Sequence, residues 1–475
     1  MGIYPRRIDE LELLILSGAL MFTLVLQQFK GDFLRRLLLI ALPISIQSMM
    51  FSSRSLVDIL MLGQLGQTDV AAMGIAGRAI FVATIMLFGV TTGGALLTAQ
   101  YWGAGNSEGV KRSTALTWLM SNITALIAAG VFFLSPESVI SLATNNSEVV
   151  ALGAQYLQIT ALSMFPMAFG ISMAVGLRSM HQPGVSTFFS AIGISLNILL
   201  NWLLIFGKWG FPEMGIAGAA WATVISGVVE VSLLYAYLYR RKHLLSFGLS
   251  TIIAACEWIY VKRFLTLSLP TTFNHLAWSA GIFVYHAIIG QYGVEGLAAL
   301  SVMTPIESLS LAFLIGSSNA AAVMIGNQLG ANKMEEAYHQ AWAVSCFNLL
   351  SSIVMAILML LIKEPVLNLF TALTPETRAL TEHFFVIYTG LLIIKSIPMT
   401  MIVGILRAGG DIRFCFYQDI IAQWVIGIPV VAICALVFKI PVEWIYALLG
   451  LEELVKWVGS TIRLRSKKWM NNLVA

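Results

Sequence analysis

Charge is scarce in this chain. Only 11% of its 475 residues are Asp, Glu, Lys or Arg, where a soluble domain carries roughly 25%. So little charge cannot cover a water-facing surface. With 58% of the residues hydrophobic, the outer surface is expected to face lipid. Cysteine is scarce as well: Cys256, Cys346, Cys415 and Cys434 lie far apart, with no CxxC or Cys/His ligand spacing. A zinc site is excluded on that spacing, and all four are expected to be buried free thiols. No P-loop, GxSxG or HExxH is found, so ATP-driven transport and familiar hydrolase chemistry have no support, and no enzyme is expected. The net charge of +4 is modest and gives no nucleic-acid signal.

What the chain does hold is apolar length. A membrane span needs about 20 apolar residues. Twelve such stretches occur, at roughly 36–62, 72–98, 113–134, 150–174, 184–206, 215–238, 264–289, 297–325, 338–362, 380–404, 414–437 and 440–460. Lipid admits only helices or closed barrels. These lengths are helical, and no ten-residue alternation appears. The fold class is therefore an all-α integral membrane protein of twelve helices. The interhelical loops fall into two alternating sets. One set carries 18 basic residues, among them Arg240, Arg241 and Arg263, and the other carries 4, namely Lys208, Lys363, Arg378 and Lys439. The basic set is expected on the cytoplasmic side of the cell membrane, with both termini. Residues 1–32 read as an N-terminal extension. Its apolar run, Leu13 to Leu26, is too short to span comfortably and is expected not to span.

The chain repeats itself at an offset of 227 residues. Pro43 falls on Pro270, Gly63 and Gln64 on Gly290 and Gln291, Gly89 on Gly316, and Gly103 on Gly330, with 13 identities over residues 43–104. Prolines and glycines report backbone geometry, so their coincidence is the persuasive part. The offset crosses six helices, an even number. The halves are thus parallel repeats about an axis along the membrane normal, with a binding site expected between them. The division is 33–239 for the N-lobe (helices 1–6), 240–263 for a cytoplasmic linker, and 264–475 for the C-lobe (helices 7–12) with a basic tail.

Intramembrane polar groups are costly and point to function. Asp58 lies in helix 1, and its repeat partner is Tyr285, so the scaffold is symmetric but the charge is not. Asn197 and Asn201 share one face of helix 5. Thr223 lies in helix 6, with Ala219 one turn before it. Together they make an all-oxygen set suited to Na⁺ or H⁺. For either ion this reading requires Arg54, one turn before Asp58, to point away from it. An ordinary Arg54–Asp58 salt bridge is the competing reading. Gln47, Glu230, Glu307 and Lys395 are candidate cavity-lining residues, and the last three could equally snorkel or pair. His275 and His286 read as polar packing residues.

With these residues in place, the chain resembles the multidrug and toxic compound extrusion (MATE) family, in its bacterial form. Leu56-Val57-Asp58-Ile59-Leu60-Met61-Leu62-Gly63-Gln64 resembles the end of that family's helix 1. Ser195-Leu196-Asn197-Ile198-Leu199-Leu200-Asn201-Trp202 resembles its helix 5, and Gly215 to Thr223 the opening of its helix 6. The resemblance implies a V-shaped pair of six-helix lobes and antiport of organic cations, drugs or metabolites against Na⁺ or H⁺. It implies a cation site at Asp58, Asn197, Asn201, Thr223 and the Ala219 carbonyl, and bending of helix 1 at Pro43. Some members place acidic residues in helices 7 and 10, where this chain has Trp278 and Ser396, so coupling is expected in the N-lobe. The rival reading is a related flippase of lipid-linked saccharides, which would need a more basic central cavity. The expected partners are cationic amphipathic small molecules and membrane lipid, with no nucleic acid, no cofactor beyond the coupling ion, and a monomeric protein.

The topology is testable. In a cysteine-less background, a cysteine at Arg241 is expected to resist a membrane-impermeant thiol reagent added outside, and one at Glu137 to react. The reverse pattern contradicts the assignment.

Overall fold

The computed structural model describes residues 31–368, 370 and 374–475. The apolar run Leu13 to Leu26 lies outside them. The described residues form helices and connecting turns, with no strand among them. Helix 1 is Phe33–Leu62, helix 2 Gln67–Gly103, helix 3 Ser107–Leu134, helix 5 Pro183–Ile205 and helix 6 Gly215–Arg240. In the second half, helix 7 is Trp258–Gly290, helix 8 Val294–Gly330, helix 9 Met334–Leu367, helix 10 Pro375–Leu406 and helix 11 Ile412–Val437. Helix 4 is the pair Ser147–Ala161 and Met164–Ser179, bent by 49°. Helix 12 is the pair Val442–Leu448 and Gly450–Arg465. Nine of these described helices are long and apolar enough to cross a membrane, and the bent pair makes a tenth. Helices 7 and 12 complete the twelve but are more polar. The reason is visible in helix 12, which buries Glu452, Glu453 and Lys456.

Local chemistry sets the helix ends. The Asn106 side chain accepts from Gly109 N at 2.8 Å, and Asn146 accepts from Glu148 N and Val149 N. These satisfy amides that the first turn leaves without partners. Helix 1 runs continuously through Pro43, whose carbonyl accepts from Thr187 Oγ1 at 3.0 Å. Helices 10 and 11 contain π-helical stretches, Thr400–Leu406, Ile421–Gly427 and Ile433–Val437. The cysteines differ from expectation. Only Cys415 is buried, Cys346 and Cys434 are half-buried, and Cys256 is exposed because it ends the short linker helix Leu249–Ala255.

The 227-residue repeat becomes a pseudo-twofold contact between the lobes. A Cβ built on Gly103 would lie 1.9 Å from the Asn327 carbonyl oxygen, and one on Gly330 would lie 1.9 Å from the Gln100 carbonyl oxygen. The two contacts exchange under the repeat, since Gln100 corresponds to Asn327. A second pair, Gly89 against Thr272 and Gly316 against Ser45, exchanges in the same way. Small residues let the backbones approach this closely. All four contacts lie in the halves of the helices nearest the basic loops. Nearer the other end of helix 2, a Cβ on Gly74 or Gly77 would meet nothing within 4 Å. The lobes are therefore closed at the basic end and part toward the other, as a V.

Polar links reinforce the closed end. With its amide oriented to satisfy both sides, Asn327 accepts from His181 Nε2 and donates to the Ala99 carbonyl, each at 2.6 Å. Burial, with Arg36 beside it, holds the His181 imidazole below its usual range. The segment after helix 12 crosses between the lobes. Gln100 Nε2 donates to the Ala408 and Asn471 carbonyls at 2.9 and 3.1 Å, and its Oε1 accepts from Leu473 N at 2.6 Å. Trp469 is completely buried against this seam.

A side chain at the glycine contact should force the basic end apart. Overpacking costs about 1–3 kcal/mol, and ~1.4 kcal/mol is tenfold in an equilibrium. Gly103→Val is expected to expose a cysteine placed at Ala99 to thiol reagents from the basic-loop side at least roughly tenfold faster. Unchanged labelling contradicts the closure.

Candidate functional site

Helices 1, 5 and 6 meet around Asp58. Helix 5 presents Asn197 and Asn201 one turn apart, and both are completely buried. Asn201 Nδ2 donates to Asp58 Oδ1 at 2.5 Å and reaches Asn197 Oδ1 at 3.5 Å. Asn197 Nδ2 reaches Thr223 Oγ1 at 3.5 Å. Asp58 is 8% exposed, and Ala219 is buried one turn before Thr223. The five residues expected from the sequence thus share one region of one lobe. Asn201 Oδ1 is buried without a hydrogen-bond partner. An unmet buried acceptor is expensive, and a cation among these oxygens would satisfy it. The side chains can offer an all-oxygen set, which suits a hard cation, although the Asn201 and Asn197 amides here turn their Nδ2 groups to Asp58 and Thr223 respectively. Tyr156 of helix 4, not singled out from the sequence, lies within the electrostatic reach of Asp58 and Arg54.

Arg54 departs from expectation. It does not point away. Its Nε lies 3.9 Å from Asp58 Oδ2, and its NH2 group donates to Thr223 Oγ1 at 3.1 Å. The salt-bridge reading and the site reading therefore involve the same atoms. Gln47 and Glu230 join the cluster one layer away. Gln47 Nε2 donates to Ser190 Oγ at 3.0 Å, and Ser190 donates to Glu230 Oε1 at 2.7 Å.

Known proteins share this architecture. The family model named MatE matches residues 43–203 and again 270–433, two matches that begin 227 residues apart. The chain belongs to the MATE family. A protein called "Probable multidrug resistance protein NorM" in Rhizobium meliloti is 27% identical over 87% of each chain. One of the same description in Thermotoga maritima is 24% identical over 93% of this chain and 94% of its own. A solved outward-facing conformation of a MATE transporter superposes with a TM-score of 0.84 at 18% identity, over 93% of this chain and 98% of that one. The Vibrio cholerae MATE transporter VcmN, in its bent form, gives 0.79 at 19% identity over 95% of this chain and 99% of that one. The fold is the MATE fold, and the chain is a multi-pass membrane protein of a multidrug efflux family.

This MATE chain also buries a charge network in its C-lobe that sequence reading missed. Lys456 of helix 12 contacts Glu452 at 2.9 Å and Asp419 of helix 11 at 3.6 Å. Arg407 lies 3.7 Å from Asp419 and donates to Asn274 Oδ1 at 2.6 Å, while Asn274 Nδ2 donates to Asp419 at 2.8 Å. Tyr285, the repeat partner of Asp58, donates to Glu452 at 2.7 Å. Lys395 pairs with Glu453 at 3.9 Å, and Glu307 accepts from Tyr446. Glu307 and Lys395 thus each have a partner, the pairing that the sequence left open beside a cavity-lining place. His275 packs its Nδ1 on the Thr271 carbonyl at 2.7 Å, the polar packing role expected of it. A signal was present in the sequence, since Glu452 and Lys456 stand four apart like a helical ion pair.

Breaking such a buried pair costs about 3–5 kcal/mol. Lys456→Met is expected to lower the thermal stability of detergent-purified protein markedly, with partial recovery in Lys456→Met/Glu452→Gln. A single substitution without effect on melting contradicts the network.

Proposed function

We propose that the protein is a secondary antiporter that exports cationic amphipathic compounds, drugs or metabolites in exchange for Na⁺ or H⁺. The observation that carries this is the Asp58–Asn197–Asn201–Thr223 cluster, a carboxylate, two amides and a hydroxyl gathered with Arg54 in one lobe of a two-lobed transporter fold. The relatives' description as multidrug resistance proteins supports the substrate class. Asymmetric loop charge supports a cytoplasmic basic side and cytoplasmic termini. On that orientation the closed basic end makes this an outward-open arrangement. A cation arriving from outside binds the oxygen set, repacks helices 1, 5 and 6, bends helix 1 at Pro43, and reduces the room left for substrate. Release of the ion to the cytoplasm resets the cycle. For a neutral substrate, one elementary charge moving inward gains about 2.3 kcal/mol per 100 mV. For a monovalent cationic substrate exchanged one for one, the potential cancels, and the concentration gradient of the ion drives export. The protein needs no cofactor beyond the coupling ion, binds no nucleic acid and works as a monomer. It carries out transport without chemical conversion.

Two substitutions test the cycle. Asp58→Asn is expected to fold but to lose gradient-driven efflux by roughly a hundredfold or more, and drug resistance on overexpression with it. Pro43→Ala is expected to lower transport more than expression, and more than Pro270→Ala does. Near-normal antiport by Asp58→Asn in vesicles would sink the coupling scheme and leave Asp58 as a plain partner of Arg54. Export of lipid-linked sugar without drug resistance would favour the flippase.

A further inference from the structure

The antiport cycle leaves Arg54 unused, yet Arg54 sits where the ion would bind. Its guanidinium is 3.9 Å from Asp58 Oδ2 and 3.1 Å from Thr223 Oγ1, two oxygens of the proposed ion shell. The third acceptor, Asn201 Oδ1, is left without a partner. The Asn201 amide turns its Nδ2 to Asp58 and leaves its Oδ1 unmet. A Na⁺ that replaced the guanidinium on Asp58 and Thr223 would be met by that oxygen once the amide turned over. The two cannot both stay. Asp58 is one carboxylate, and a second cation beside Arg54 would be buried without a counter-charge.

A second carboxylate stands close by. Glu230 lies seven residues beyond Thr223 along helix 6, which is about two turns, and Gln47 lies seven before Arg54 along helix 1. The Gln47–Ser190–Glu230 hydrogen-bond chain ties these two positions together. Glu230 is only half-buried and lies within the electrostatic reach of Arg54. Arg54 therefore contacts one carboxylate, Asp58, and feels a second, Glu230.

We infer that Arg54 is a tethered cation that exchanges between Asp58 and Glu230, and that this exchange makes Na⁺ and a cationic substrate mutually exclusive. The inference rests on the antiport reading above and commits it to Na⁺. Without Na⁺, Arg54 pairs with Asp58, and Glu230 is open to the positive group of a substrate. With Na⁺ on Asp58, Arg54 moves to Glu230 and takes that carboxylate from the substrate. Each state pairs two carboxylates with two cations, so neither leaves a buried charge alone. One positive charge enters the lobe as another leaves it, although ion and substrate never touch.

The test is equilibrium binding of tetraphenylphosphonium to purified protein, with NaCl exchanged for choline chloride at constant ionic strength. In the wild type, saturating Na⁺ is expected to weaken probe binding by roughly tenfold, within the usual range of coupling between sites. Arg54→Gln should bind both ligands and bind Na⁺ more tightly, with the effect of Na⁺ on the probe reduced to less than about twofold. Arg54→Lys should keep most of the antagonism. Glu230→Gln should weaken both ligands, the probe because it loses its carboxylate and Na⁺ because Arg54 loses the group that draws it off Asp58. If Arg54→Gln does not fold, Glu230→Gln and Arg54→Lys carry the test. An Arg54→Gln protein that keeps the full Na⁺ effect overturns the exchange, and so does one that folds but binds neither ligand. If the wild type responds to Na⁺ and Asp58→Asn does not, the antiport reading stands whatever Arg54→Gln does. A wild type indifferent to Na⁺ overturns this inference. If it also shows no gradient-driven efflux, the antiport reading falls with it.

Discussion

A charge carried into hydrocarbon must find its partner inside the protein, because no water is there to solvate it. This constraint organises the interior of both lobes. In the N-lobe, a single carboxylate on helix 1 is answered by one arginine and by the Asn201 amide of helix 5. In the C-lobe, the position equivalent to Asp58 is a tyrosine, and the charges have moved to helices 11 and 12. There, Asp419, Glu452 and Glu453 are balanced by Lys395, Arg407 and Lys456. The C-lobe set is balanced within itself, three carboxylates against three cations, whereas the N-lobe sets one arginine between Asp58 and the neighbouring Glu230. The proposed cycle accordingly places ion exchange in the N-lobe.

The same backbone repeat gives the lobes their means of closing. Gly103 and Gly330 exchange under the pseudo-twofold, as do Gly89 and Gly316, and each admits the partner's backbone where a Cβ would collide. Closure at one end with separation at the other needs only that these contacts be confined to one half of the helices. The segment Trp469–Leu473 adds hydrogen bonds from Gln100 across the same seam. Opening the basic end must break them together with the glycine contacts. In the proposed cycle, alternation between two states would be a contest between this seam and the ion site's effect on helix 1.

Much of this was legible in the sequence because membrane residence restricts the options. Twelve apolar runs could only be helices, and matched prolines and glycines disclosed the repeat before any contact was known. Asp58, Asn197, Asn201 and Thr223 stood out because polar groups in apolar runs are rare. Sequence spacing put Arg54 one turn from Asp58 but left open where the guanidinium goes, and only helix 6 decides that by offering Thr223. The C-lobe network was missed for a related reason. Glu452, Glu453 and Lys456 lie inside the run 440–460 and were not singled out there, while their partners Asp419 and Arg407 belong to other helices. Cys256 was expected to be buried, yet there an apolar run ends in an exposed linker. Burial of a flank or a tail, as at Trp469, depends on neighbours that no single window contains.

Exchange is the central claim: substrate leaves because an ion enters through the same lobe. The direct measurement is simultaneous recording of both fluxes in proteoliposomes loaded with a lipophilic cation, under an imposed Na⁺ or pH gradient. Coupled exchange predicts substrate efflux in fixed proportion to an opposite ion influx, with both lost when the gradient is collapsed. Substrate efflux that continues unchanged without any ion counterflow would contradict it.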